Sequence, residues 1–114
     1  MVIFYADLRR VIDRLLEVRR RYHPDDPDPT RRLERGIHLA LVGAVVWSGR
    51  AHGALEVRGY IVGPAGRCTC PDARLRGRGK PWFCKHAIAA FVAAKMGLVR
   101  ENSNGPAEGP LSAG

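Results

Sequence analysis

The chain has 114 residues, of which 46% are apolar and 26% charged, so it has room for one domain of ordinary globular composition and excludes a collagen, a wholly disordered chain and a two-domain enzyme. Nineteen Lys and Arg against eleven Asp and Glu leave a formal net charge of +8. Such a surface attracts polyanions, meaning nucleic acid, anionic membrane or an acidic protein, and composition alone does not choose among them.

The first predicted element is an amphipathic helix over residues 4–22. Phe4, Leu8, Val11, Leu15, Val18 and Tyr22 recur at spacings of four and three, with Arg9, Arg10, Arg14, Arg19, Arg20 and Arg21 read as a solvated opposite face. His23-Pro24 ends it, because the residue before a proline is pushed out of helical geometry. Pro24 to Pro29 reads as a stiff acidic linker that closes on a start signal, Asp28 as cap and Pro29 at the first helical position. A second helix follows, with Leu33, Ile37 and Leu41 on one face and Gly43 as its stop.

Beyond Gly43 the period changes. Ala44–Trp47, Gly53–Val57 and Gly59–Val62 are short β-prone runs divided by glycine turns, which predicts an antiparallel meander in which Trp47 can pack. Arg67–Cys70 can add a further short strand. The last predicted helix, Cys84–Met96, is alanine-rich, carries Ile88, Phe91, Val92 and Met96, and stops at Gly97. The expected fold is α+β: two N-terminal helices, a small antiparallel sheet and a C-terminal helix. The expected division is 1–28 (helix and acidic linker), 29–100 (the remaining elements, with their core at 54–97) and 101–114, a tail with nothing to bury and expected to be disordered.

No run reaches the ~18 apolar residues that a bilayer requires; Ile37–Trp47 is the longest and contains His38. The opening residues lack the features of a signal peptide, so a cytoplasmic protein with reduced cysteines is expected. Three cysteines disfavour a disulfide scaffold and suit a metal site completed by one histidine.

The order is Cys68-x-Cys70, thirteen intervening residues, then Cys84-x-His86. Zinc takes four thiolate and imidazole ligands tetrahedrally, so Cys68, Cys70, Cys84 and His86 would form a closed structural site for one Zn2+. In extended backbone, residues i and i+2 face the same way, so Cys68 and Cys70 can aim at one ion from a strand end. Within a helix they diverge by ~200°, so Cys84 and His86 must straddle a helix start, with Cys84 at the cap and His86 in the first turn. Phe83 and Ile88 then fit a hydrophobic staple. His23, His38 and His52 are read as structural or solvated, and no other set of residues suggests catalysis, so a non-enzymatic protein is expected.

These residues resemble the SWIM-type zinc fingers, whose pattern is C-x-C, a variable gap, then C-x-H. Cys68-Thr69-Cys70-Pro71-Asp72 matches the first half, and Cys84-Lys85-His86-Ala87-Ile88-Ala89 the second, leading into an alanine-rich helix. The resemblance is strong over residues 54–97 and looser over the helix and strand before it. It implies a zinc-stabilised ββα unit with a role in DNA binding or protein contact.

The charge is concentrated there. Residues 67–100 hold Arg67, Arg74, Arg76, Arg78, Lys80, Lys85, Lys95 and Arg100 against Asp72 alone, a net of +7. Between the ligand pairs, Arg74 to Trp82 reads as a glycine-containing loop whose cations suit phosphates and whose tryptophan suits an exposed base. The expected function is therefore a DNA-binding module in transcription, replication or recombination, contacting nucleic acid through Arg67, Arg74, Arg76, Arg78, Lys80, Trp82 and Lys85. Single-stranded RNA suits the same loop. The alternative is a zinc-stabilised adaptor for a larger DNA-processing machine, with a protein partner at the first helix; neither a membrane nor a small-molecule substrate is expected.

Overall fold

A computed structural model describes residues 5–49 and 53–101; Phe4, His52 and residues 102–114, on which expectations above also fell, lie outside them. Helix α1 runs Tyr5–Tyr22, α2 Pro29–Leu41, and strands β1 Val45–Trp47, β2 Leu55–Val57 and β3 Tyr60–Val62 follow. A short α3, Pro71–Leu75, precedes α4, Lys85–Met96. The fold is α+β, as expected, with the metal-ligating residues in its C-terminal part.

Helix α4 lies at the centre. Its residues His86 to Val92 and Ala93 are buried, so it is apolar nearly all round, as a helix enclosed by neighbours must be. It packs against α1, α2 and all three strands. From α1, Leu15 is fully buried, with Leu8 and Val11 packed beside it, so this part of the apolar stripe faces the core. Among the described residues, no helix is long and apolar enough to cross a membrane.

Helix α2 begins as its sequence dictates, with the Asp28 carboxylate accepting from the Arg31 amide at 3.4 Å and Pro29 in the first turn. It crosses α4 at Gly36. A Cβ there would lie 2.4 Å from Ile88 Cγ2 and 2.9 Å from the Lys85 carbonyl. Gly36→Ala is therefore expected to destabilise the protein by ~1–3 kcal/mol through overpacking, outweighing the ~0.5–1 kcal/mol that alanine gains over glycine within a helix. A lowered urea midpoint checks this, and an unchanged or raised midpoint would show that the two helices can move apart freely.

The sheet is antiparallel in the order β1-β2-β3, with Val45 opposite Val57 and Leu55 opposite Val62. These four side chains are buried. Arg58 and Gly59 join β2 to β3 with φ of 51° and 87°, both positive, as a tight hairpin turn requires. Both outer edges are covered. Arg100 bridges to β1, exchanging hydrogen bonds of 2.9 Å with Val45 and Trp47, and Thr69 does the same for Ile61 of β3 at 3.1 Å. The further strand expected at Arg67–Cys70 is reduced to a bridge between Val62 and Cys68. Trp47, expected to pack, is 48% exposed, since it lies at the end of a three-residue strand.

The main departure lies between the ligand pairs, where a loop was expected and α3 forms. Its cause is local: Pro71 occupies the first turn, Asp72 follows in the same turn, and the Cys70 sulfur caps it.

Candidate metal centre

The ligating atoms of Cys68, Cys70, Cys84 and His86 all lie within 4.8 Å of one another, and all four residues are buried. Cys68 Sγ lies 3.9 Å from His86 Nδ1. A tetrahedral zinc ion with bonds of about 2.3 Å to sulfur has ligand–ligand edges just under 4 Å, so the cluster has the dimensions of one ion.

Each half of the cluster is set by backbone geometry. Cys84 is extended (φ −82°, ψ 167°) and caps α4, its Sγ accepting from the Ala87 amide at 3.4 Å, while His86 follows in the first turn. Cys70 repeats the arrangement: it is extended (φ −72°, ψ 157°), and its Sγ accepts from the Ala73 amide at 3.4 Å at the start of α3. Two of the sulfurs thus face otherwise orphaned helix amides, which favour the thiolate. The Tyr60 ring, 4.8 Å from the imidazole, covers His86.

The chemistry of the donors fits a soft divalent cation. Burial pushes the Cys70 thiol up, and a hydrogen bond with Cys68, together with burial, pushes Cys84 up to about 12. Cys70 and Cys84 thus resist ionising without a cation, whereas a coordinated thiol is deprotonated outright. Three sulfurs and one imidazole close a tetrahedron and leave no coordination position for a water. The cluster is a site for one structural zinc ion.

A layer of ionic contacts around the cluster escaped the sequence reading. Arg19 of α1, assigned there to the solvated face, is 4% exposed. Its Nη1 donates to the carbonyls of Trp82 (2.8 Å) and Phe83 (2.7 Å), immediately before Cys84. Its Nη2 donates to Asp26 at 2.5 Å, and Asp26 also accepts from Arg32 at 2.6 Å. Arg32 in turn grips Asp72, two residues after Cys70, through two hydrogen bonds of 2.9 and 3.0 Å. That pairing holds the Asp72 carboxyl below the usual carboxylate range. The Arg32 guanidinium lies 4.2 Å from the centre of the Phe83 ring. His23 Nε2 donates to the Pro81 carbonyl at 2.7 Å, and burial holds this imidazole below its ordinary value. The acidic linker therefore supplies an internal anion that ties α1 and α2 to the backbone beside the ligands.

The cations named from the sequence fall into two groups. Arg67, Arg74, Arg76, Arg78 and Lys80 are exposed, and Lys85 is half-buried beside Cys84. Arg67 Nε donates to the Gly79 carbonyl at 3.1 Å, and Arg76 lies 3.7 Å from Asp72. Trp82 differs from them. It is half-buried, meets Phe91 edge-to-face at 5.1 Å, and lies so close over Gly66 that a Cβ there would come within 2.3 Å of the indole. Trp82 therefore has a packing role against Gly66 and Phe91, with part of the residue still at the surface.

No curated protein and no solved structure matches the chain. A family model, the SWIM zinc finger, matches residues 61–95. That stretch holds all four clustered ligands in the order C-x-C then C-x-H, and the chain carries a SWIM zinc finger there.

Proposed function

We propose that this protein is a non-enzymatic nucleic-acid-binding module, with DNA its foremost partner, in which a structural zinc holds a basic surface rigid. The observation that carries this reading is the unequal fate of the two charge signs. Asp26 and Asp72 are taken up by Arg19 and Arg32, whereas Arg67, Arg74, Arg78 and Lys80 are exposed and form no ion pair among the described residues. Exposed cations on a pinned backbone suit phosphates, whose neutralisation releases counterions and supplies most sequence-independent affinity. A closed zinc site suits a scaffold, and thiolate ligands suit the reducing cytoplasm. Transcription, replication and recombination are the settings such a module fits.

The test is a titration against single-stranded DNA, duplex DNA and RNA at two salt concentrations, with zinc content measured on the same sample. Binding should weaken steeply with salt, and Arg76→Ala and Arg78→Ala should each flatten the salt slope by about one unit. Absence of binding to every nucleic acid at low salt overturns the proposal.

A further inference from the structure

The exposed cations do not form one convex patch. Arg31, Arg35, Lys85, Arg78 and Lys80 line two hollows that share Arg76, whereas Arg67 and Arg74 line neither. The first, of about 500 Å³, lies over the zinc ligands Cys70, Cys84 and His86 and is walled by Arg31 and Arg35 of α2, Arg76 beyond α3 and Lys85 of α4. The second, of about 570 Å³, lies between the acidic linker and the segment after α3, and is walled by Arg76, Arg78, Lys80 and Tyr22. Arg32 and Arg76 line both. Neither Arg31 nor Arg35 was among the binding residues read from the sequence, because they lie on a different element from the finger's own loop.

The charge balance in the first hollow is positive. Of its two carboxylates, Asp72 is held bidentately by Arg32, and Asp28 caps α2. Arg31, Arg35 and Lys85 form no ion pair with a carboxylate among the described residues. The zinc centre, with three thiolates, contributes one further negative charge, which these cations also outweigh. In the second hollow, Asp26 is consumed by Arg19 and Arg32, leaving Asp25 against Arg78 and Lys80.

Resting on the proposed nucleic-acid reading, we infer that the two hollows form a track for one single strand, which crosses Arg76 and sets backbone phosphates against Arg31, Arg35 and Lys85 on one side and Arg78 and Lys80 on the other. Hollows of this size are those of small-molecule sites, so they admit a phosphate and an unpaired base one at a time. A duplex is a wide rod with its phosphates on the outside and its bases paired, so it would span the rims without placing a base in either hollow. Guanidinium pairs suit phosphate oxygens bidentately, and Tyr22, 38% exposed at the far end, offers an aromatic face to an unstacked base.

The experiment uses the zinc-loaded full chain and fluorescence anisotropy with labelled oligo(dT), oligo(U) and a duplex of equal length. Both single strands, or one of them, should bind more tightly than the duplex, and their ratio identifies DNA or RNA as the source of the strand. The double variant Arg31→Gln/Arg35→Gln should bind the preferred strand roughly tenfold more weakly and flatten its salt slope by about 1.4, two phosphate contacts on a single strand. Both side chains are exposed, so its thermal midpoint should match the wild type, and the zinc content should be unchanged. If this variant binds as wild type while Arg78→Gln/Lys80→Gln loses affinity, the track falls and the nucleic-acid reading stands. Tighter binding of the duplex has the same consequence. If none of the three probes binds, both fall together.

Discussion

Cys84→Ser is expected to unfold the C-terminal half of the protein, and chelation of zinc by EDTA to do the same. The sheet consists of three three-residue strands, too little to stand alone. Cys84 is fully buried, and its Sγ caps α4, the helix against which α1, α2 and every strand pack. Serine is itself a good helix cap, so the substitution largely spares α4's amide hydrogen bond and removes chiefly the metal ligand. A structural zinc site supplies ~10–16 kcal/mol of apparent binding free energy at neutral pH, about as much as the whole stability of a small domain. Because zinc displaces protons from thiols that burial and their mutual contacts push up, its hold should weaken as pH falls. Metal content and amide chemical-shift dispersion, followed on the same sample, measure the effect. A dispersed, native-like spectrum after chelation would show that packing alone holds the finger.

Where one local signal suffices, the chain is easy to read. Asp28-Pro29 starts α2 and Gly97, at φ 71°, ends α4. The divergence of i and i+2 within a helix forces Cys84 to the cap, where the structure has it. The signal of a cap followed by proline that starts α2 at Asp28-Pro29 recurs at Cys70-Pro71 and starts α3. Arg19 was misplaced for a different reason. It follows Leu15 by four residues and so borders the buried stripe, but an arginine is placed inside only by partners, and these lie at Asp26 and, 63 and 64 residues on, at the carbonyls of Trp82 and Phe83. Arg31 and Arg35 become neighbours of the finger's cations only because Gly36 lets α2 approach α4 closely. Periodicity and capping act within one element, whereas these contacts arise between elements.

Asp26→Ala is expected to destabilise the fold by ~3–5 kcal/mol, the range for breaking a buried ion pair by removing one partner. The carboxylate is 2% exposed and accepts from Arg19, from Arg32 and from the Asp28 amide at 3.0 Å. Without it, Arg19 stays buried with its charge uncompensated, and the same burial already lowers its pKa from the usual arginine value. A surface pair lost at the same place would be worth only ~0–1 kcal/mol, so a denaturant midpoint separates the two cases. The loss should reach the metal. Arg19 holds the carbonyls of Trp82 and Phe83, and Arg32, which grips Asp72 beside Cys70, loses its second anchor at Asp26. Zinc should therefore exchange faster with a competing chelator in Asp26→Ala than in wild type. The double variant Arg19→Met/Asp26→Leu removes both charges and fills the space with apolar atoms, a change that is often neutral in stability. It should recover much of the midpoint and lack the hydrogen bonds to the two carbonyls. Fast zinc exchange in the double variant despite a recovered midpoint would assign Arg19 to positioning the ligand backbone; slow exchange would assign it to packing α1 alone.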